Sequence, residues 1–176
     1  MSYYFSKNFE ESHLGNVDYW RCESCGFVSS KTHFDMTDAE WQDLNDTWHA
    51  QSHSNSSNPY NRNQRYFNQA LMLSLMKSHD LISDGGWLDW GAGVGAVSGL
   101  LEKYFGGELL TYDKYLKCPT NPLDEDELKS RSFDLVTSMA VFEHVRSRST
   151  LDEIESYVNE TGCLGTHTLV PDEVPA

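Results

Sequence analysis

The residues best suited to chemistry lie in one short stretch, Asp89-Trp90-Gly91-Ala92-Gly93-Val94-Gly95. It places a carboxylate directly before three closely spaced glycines, with an apolar run ahead of it and a helical pattern behind it. Glycine lets the backbone turn sharply and lets a ligand approach it closely. A helix that begins just after the loop directs unpaired backbone N–H groups toward the same point. We therefore expect a strand, a ligand-binding loop and a helix, with a carboxylate that attracts positive charge.

Two classes of ligand suit such a loop. A dinucleotide-binding loop has the spacing GxGxxG, but here the third glycine, Gly95, comes one residue early. The stretch instead resembles the D/E-x-G-x-G-x-G motif of class I S-adenosylmethionine-dependent methyltransferases, and it matches that motif at every position. Asp89 then matters because its negative charge would attract the ammonium group and the sulfonium that the cofactor carries. The resemblance implies that S-adenosylmethionine is bound by Asp89, Trp90, Gly91, Ala92, Gly93 and Gly95.

Two further residues extend the expected cofactor site. An acidic residue about 20 positions past the glycine loop, at the carboxyl end of the next strand, can bind two ribose hydroxyls. Asp113 has this position, directly after a predicted strand at 108–112. The segment 132–139 resembles the fourth strand of the methyltransferase family, and this resemblance implies that Met139 packs near the adenosine and methionine moieties.

An acid–imidazole pair, Glu143-His144, follows that strand. Methyl transfer to oxygen or nitrogen needs an acceptor placed in line and can also need a base. His144 is the candidate general base, because the ordinary pKa of histidine lies near neutrality, and Glu143 is its candidate partner. Some family members carry ExxEH here and bind a divalent metal, but Ala140 replaces the first Glu. The alternative that His144 only packs or caps stays open.

A possible metal site lies near the start of the chain. Cys22-Glu23-Ser24-Cys25-Gly26 has the form of a zinc knuckle, in which one tight turn offers two thiolates. Zinc needs four ligands, and the nearby side chains that could complete the set are His13, His33, His49 and His53. Redox activity of Cys22 and Cys25, or no role at all, are the alternatives.

Alternating apolar runs and helical patterns predict the frame that positions these residues. Strands that alternate with helices indicate βαβ units and a parallel sheet. We therefore expect an α/β fold, with a Rossmann-like, doubly wound, mostly parallel sheet that is incomplete at about five strands. A turn at Thr161-Gly162 precedes the last of them. The predicted strands are Trp87–Trp90, 108–112, 116–119, 132–139 and 163–170.

The first third of the chain has a different composition. Residues 1–60 are polar and aromatic and contain few aliphatic residues, which predicts a small irregular segment with a short strand at 17–22. Thr37 and Glu40 have the spacing of a helix capping box, and Trp41 begins an apolar stripe. A polar stretch at 51–63 marks the boundary. We expect domains at 1–60 and 61–176, the second binding the cofactor.

Composition excludes several partners. The chain has 176 residues and a net charge of −14, from 13 basic and 27 acidic residues. Because nucleic-acid binding needs clustered Lys and Arg, we expect no nucleic-acid partner. No apolar run approaches the roughly 20 residues that span a bilayer, and the start lacks a signal pattern. We therefore expect a cytoplasmic protein. The resemblance to methyltransferases implies that its partner is a small-molecule methyl acceptor.

Both ends of the sequence depart from the family. Class I methyltransferases usually have seven strands, whereas this chain stops after the fifth predicted one, and only half of an N-terminal zinc module of sugar-type members is present. We expect a truncated protein whose strand-five edge supports homo-oligomers. Three hypotheses follow: a methyltransferase for a small-molecule or sugar-type acceptor, a non-catalytic truncated domain, and an NAD-type oxidoreductase domain.

Overall fold

The computed structural model describes residues 1–9, 15–54, 59–116 and 118–167. The chain divides into two compact units, Met1–Ser56 and Ser57–Ala176. Among the described residues, no helix has both the length and the apolar character needed to cross a bilayer.

The first unit contains an antiparallel sheet. Strands β1 (Ser2–Phe9), β2 (Gly15–Arg21) and β3 (Val28–Ser30) lie in that order, and helices α1 (Lys31–Phe34) and α2 (Asp38–Ser54) follow. The prediction of an irregular segment is wrong here. Aromatic residues, which favour strands, replace the aliphatic ones, and Phe5 of β1 stacks on Tyr19 of β2 at a ring distance of 4.7 Å.

The predicted capping box at the start of α2 is confirmed. The backbone N–H of Thr37 donates to Glu40 Oε2 at 2.8 Å, and the N–H of Glu40 donates to Thr37 Oγ1 at 3.3 Å. Two N–H groups that the helix leaves unpaired are thereby satisfied. The hydrogen bonds from Thr37 also lower the pKa of Glu40.

The second unit is an α/β structure with a parallel sheet. Its four strands lie in the order β5-β4-β6-β7, and all of their pairings are parallel. The described elements of this unit, in chain order, are α3 (Pro59–Ser78), β4 (Trp87–Trp90), α4 (Ala96–Phe105), β5 (Leu110–Tyr112), α5 (Glu125–Lys129), β6 (Phe133–Met139), a 3₁₀ helix (Phe142–His144), α6 (Arg148–Ser156) and β7 (Val158–His167).

Helices cover both faces of this sheet. Successive side chains of a strand point to opposite faces, and two separate apolar clusters reflect this alternation. Trp87 and Leu135 belong to a cluster shared with α3 and α4, which includes Ala70, Leu73, Val97 and Leu101. Leu88 and Val136 belong to a cluster shared with α5 and α6, which includes Leu128 and Ile154.

The strand order creates a crevice. After β4 the chain passes to β5 on one side, and it then returns to β6 on the other side. Ligands of open α/β sheets bind beyond the carboxyl ends of the strands, at the point where the strand order reverses. In this sheet that point lies between β4 and β6, and the glycine loop follows β4 directly.

The predicted strand at 116–119 is not found in its described residues, 116, 118 and 119. Instead, Thr111 makes one isolated bridge to Pro122. Its N–H donates to Asn121 O at 2.8 Å, and its carbonyl accepts from Leu123 N–H at 2.8 Å. Because Pro122 has no N–H, it cannot continue a ladder. The described parallel sheet therefore has four strands instead of about five.

The last described strand starts earlier than predicted. It spans Val158–His167, so the expected turn at Thr161-Gly162 lies inside it. A Cβ atom at Gly162 would lie 2.8 Å from the carbonyl oxygen of Phe133 on β6. The glycine therefore permits close backbone approach within a strand. Residues 168–170 of the predicted strand lie outside the described residues.

Candidate functional site

Asp89 is a buried carboxyl group at the carboxyl end of β4. Its side chain is 3% exposed, and its Oδ1 accepts a hydrogen bond from Thr137 Oγ1 of β6 at 2.7 Å. Burial raises the pKa of Asp89 to about 7, against the lowering effect of the Thr137 hydrogen bond, and the charge of Asp113 raises it further. A nearby cation would favour the ionised form and lower this pKa. Within the described part of the chain, Asp89 is thus an acidic group without a positive partner.

The glycine loop needs glycine at three positions. Gly91, Gly93 and Gly95 have φ angles of +76°, +58° and +69°, a region that side chains disfavour. The N–H groups of Gly91 and Ala92 both donate to Tyr112 O of β5, at 2.8 and 3.1 Å. The loop is therefore fixed to the neighbouring strand on one side.

The start and the middle of the loop have different surroundings. A Cβ atom at Gly91 would lie 2.7 Å from Val141 Cγ2, so the backbone approaches Val141 closely. A Cβ atom at Gly93 would meet no atom within 4 Å. The loop therefore packs tightly where it leaves β4 and faces open space at Gly93, where a ligand can approach the backbone.

Asp113 joins the glycine loop to the turn after β5. Its Oδ2 accepts from Gly93 N–H at 2.8 Å, and its Oδ1 accepts from the N–H groups of Tyr115 and Leu116, both at 2.9 Å. A carboxylate oxygen has about two acceptor positions, so Oδ2 retains capacity for one more donor. Asp89, the glycines and Asp113 thus lie together at one edge of the sheet.

Sequence reasoning missed two residues of this site. Thr137, the partner of Asp89, lies 48 positions away on β6. Cys118 is buried, and its Sγ donates to Gly93 O at 2.9 Å; burial raises the pKa of its thiol. No motif marks either residue, because both contacts depend on how distant segments pack.

The other candidate residues lie beyond the end of β6. Met139 is the last residue of β6 and is partly buried. His144 is exposed at the end of the 3₁₀ helix, and its backbone N–H donates to Val141 O at 2.8 Å. The side chain of Glu143 lies outside the described residues. The roles of Glu143 and His144 in proton transfer therefore stay predictions.

Cys22 and Cys25 lie on a tight turn in the first unit. Cys22 N–H donates to Phe27 O at 2.8 Å, and Gly26 N–H donates to Cys22 O at 2.9 Å. Hydrogen bonds from Cys25, and then from Ser24, lower the pKa of Cys22, which favours the thiolate that metals bind. Across the described part of the chain, no group of three or more His, Cys, Asp or Glu side chains is arranged to bind a metal.

The possible further zinc ligands are only partly described. His13 lies outside the described residues, as do the side chains of His49 and His53. The His33 ring makes a 2.5 Å hydrogen bond with Ser30 Oγ. Zinc binding by Cys22 and Cys25 therefore stays a prediction.

The second unit thus combines a buried carboxyl group, an open glycine loop and a second carboxylate at the reversal point of a parallel sheet. This arrangement can bind a ligand that carries both a positive charge and hydroxyl groups. No protein-family model, curated protein or solved structure matches the chain. The nature of the ligand is therefore inferred from the geometry and the motif.

Proposed function

We propose that the second unit is a Rossmann-like, S-adenosylmethionine-dependent methyltransferase domain that acts on a small-molecule or sugar-type acceptor. One observation carries the proposal. Asp89, with a pKa of about 7, is buried without a cationic partner among the described residues, and it lies two positions before a glycine loop that faces open space at Gly93. A cationic ligand supplies what this carboxyl group lacks.

The charges favour this cofactor over a dinucleotide. A pyrophosphate would meet the negative charges of Asp89 and Asp113 at the same loop. S-adenosylmethionine carries a sulfonium and an ammonium group, and either one would stabilise the ionised form of Asp89. The remaining acceptor position on Asp113 Oδ2 suits a ribose hydroxyl. The residues present therefore fit the cofactor.

The chain would contribute mainly placement. When bound, S-adenosylmethionine supplies an electrophilic methyl group. The protein must align the acceptor with it and exclude water. His144 lies at the end of the 3₁₀ helix that follows β6. It is the proposed general base that takes the proton from the methyl acceptor, and Glu143 precedes it in sequence.

A second candidate is a non-catalytic domain of the same architecture. It is favoured by the bonding of Asp113, whose carboxylate already accepts three backbone N–H groups. A ribose would find only part of this side chain available. In such a domain, Asp113 would serve to fix the loops, and cofactor binding would be weak or absent.

Isothermal titration tests these alternatives. S-adenosylmethionine and S-adenosylhomocysteine should bind with micromolar affinity, and Asp89→Asn should weaken binding of S-adenosylmethionine at least about tenfold, since a charge-assisted contact is lost. Asp126→Asn, an exposed change on α5, is the matched control and should leave binding unchanged. Binding of NAD alone would overturn the proposal. If neither S-adenosylmethionine nor S-adenosylhomocysteine binds, the non-catalytic domain becomes the better candidate.

Product formation separates catalysis from binding. Nucleotide sugars and small hydroxy compounds, supplied with S-adenosylmethionine, should yield S-adenosylhomocysteine above the rate without acceptor. Cofactor binding without any turnover across this panel would favour the non-catalytic domain.

A further inference from the structure

A cleft of about 490 Å³ lies between α3 and the carboxyl ends of β6 and β7. The side chains that matter for its chemistry are Arg65, Gln69 and Met72 of α3, Met139 of β6 and His167 of β7. Its size is within the range of small-molecule pockets, and all of its described lining belongs to the second unit.

The cleft lies on the same face of the sheet as Asp89. Asp89 pairs with Thr137 across β4 and β6, and the Thr137 hydroxyl bonds the Asp89 carboxylate. Met139 is two residues beyond Thr137 on the same strand, so its side chain points to the same face about 7 Å further along. The cleft therefore begins about 7 Å along β6 from Asp89, the residue proposed to attract the cofactor's positive charge.

Two buried polar atoms of residues that line this cleft have no hydrogen-bond partner among the described residues. They are Gln69 Oε1 and Arg65 Nε, and the Gln69 side chain is only 8% exposed. Buried polar atoms in native structures are nearly always paired, and leaving one unpaired is costly. One atom requires a donor and the other an acceptor. Arg65 and Gln69 are four positions apart on α3 and are therefore neighbours on its surface, so a ligand that presents both groups close together would complement them.

The described lining of the cleft carries positive charge in a chain that is strongly acidic. It contains Arg65 and no Asp or Glu, although the chain as a whole has a net charge of −14. Arg65 also lies over the Tyr66 ring, with its Cζ atom 4.9 Å from the ring centre. Met72 and Met139 add adaptable apolar surface. A ligand with an apolar body and a carboxylate complements these features.

We propose that this cleft binds the methyl acceptor, and that the acceptor is a small carboxylate with an apolar body and a hydroxyl group beside the carboxylate. Arg65 would bind the carboxylate, and Gln69 Oε1 would accept from the hydroxyl. The role as methyl acceptor depends on the function proposed above, whereas carboxylate binding in the cleft does not.

Binding can be measured with defined probes. Salicylate and the larger 3-hydroxy-2-naphthoate combine the required groups, benzoate lacks the hydroxyl, and methyl salicylate lacks the charge. In titrations of the full chain, at least one of the two hydroxy acids should bind in the micromolar to millimolar range. It should bind more tightly than benzoate, and methyl salicylate should bind weakest, because the bond to Arg65 is charge-assisted.

Variants locate the site. Arg65→Met should weaken binding of the hydroxy acid at least about tenfold, as expected when a charged hydrogen bond is lost. Gln69→Leu should remove the preference for salicylate over benzoate without lowering the thermal midpoint, since it deletes an unpaired buried oxygen. Arg131→Met, at the opposite end of the sheet, is the control and should have no effect.

The outcomes distinguish this proposal from the previous one. If the hydroxy acids bind and S-adenosylmethionine does not, carboxylate binding in the cleft is supported and the methyltransferase proposal fails. If S-adenosylmethionine binds but neither hydroxy acid does, or if Arg65→Met leaves their affinity unchanged, the carboxylate proposal is overturned.

Discussion

At the scale of single residues, Asp89 links stability to pH. Its pKa is about 7 in the folded protein, compared with an ordinary value of 3.8. Between these values the folded chain retains the proton and the unfolded chain releases it. The free energy of unfolding should therefore decrease as pH rises from about 4 to about 7, by up to about 1.4 kcal/mol per pH unit, and level off above that.

Asp89→Asn should remove this contribution. Asparagine keeps an oxygen that accepts from Thr137, and it has no charge to bury. Urea unfolding at about pH 5 and about pH 8 should therefore show a smaller loss of stability at the higher pH in this variant. Asp126→Asn should retain the wild-type pH dependence. Equal pH dependence in all three proteins would contradict the raised pKa of Asp89.

The glycine loop offers a second test with a built-in control. Gly93→Ala adds a Cβ in open space, so its cost is the left-handed backbone alone, about 1–2 kcal/mol. Gly91→Ala carries the same backbone cost and also a clash with Val141, and it should be clearly more destabilising in thermal unfolding. Adding Val141→Ala to Gly91→Ala should relieve the clash and give positive coupling. Equal effects of the two alanine variants would refute this account.

The sequence predicted the local parts of this site and not the distant ones. Asp89, the glycines and Asp113 follow from a motif and from a spacing of 20 residues between Gly93 and Asp113, and the structure brings Gly93 and Asp113 into contact. Thr137 and Cys118 could not be predicted, because their contacts depend on which strands become neighbours. Gln69 and Arg65 could not be predicted either, because their sequence pattern is that of ordinary polar residues in an amphipathic helix.

At the scale of elements, the pairing of β6 with β7 depends on Gly162. A Cβ atom at this position would lie 2.8–2.9 Å from the carbonyl oxygens of Phe133 and Asp134, and backbone atoms cannot move aside cheaply. Gly162→Ala should therefore lower the thermal midpoint by several degrees, which corresponds to roughly 1–3 kcal/mol. Gly165→Ala is the matched control, because its nearest contact would be Thr137 Cγ2 at an ordinary 3.7 Å. A midpoint equal in the two variants would count against this role.

Element types were predictable where the apolar pattern was strong. The strands β4 and β6 begin and end within one residue of their predicted bounds, and a helix, α4, follows the glycine loop as expected. The pattern was weaker elsewhere. In β1 the apolar residues are aromatic, with Tyr3 exposed and Tyr4 and Phe5 only partly buried, and in β7 a glycine that suggested a turn is used for close strand packing.

At the scale of the whole molecule, β7 lies at the edge of the described parallel sheet. Cys163 and Leu164 are exposed along it, and an unpaired edge can pair with another chain. The predicted homo-oligomer would use this edge, while the net charge of −14 opposes association. Light scattering should therefore show more oligomer as salt screens the repulsion, and Leu164→Lys should reduce it. A monomer at low and at high salt would contradict the prediction.

The single carboxylate of Asp113 has a consequence for hydrogen exchange. It accepts the N–H groups of Gly93, Tyr115 and Leu116, so two loops share one acceptor. When that side chain rotates away, all three amides lose protection in the same event. They should exchange with deuterium at similar opening free energies, and Asp113→Asn should accelerate all three together while the amides of β6 keep their slow exchange.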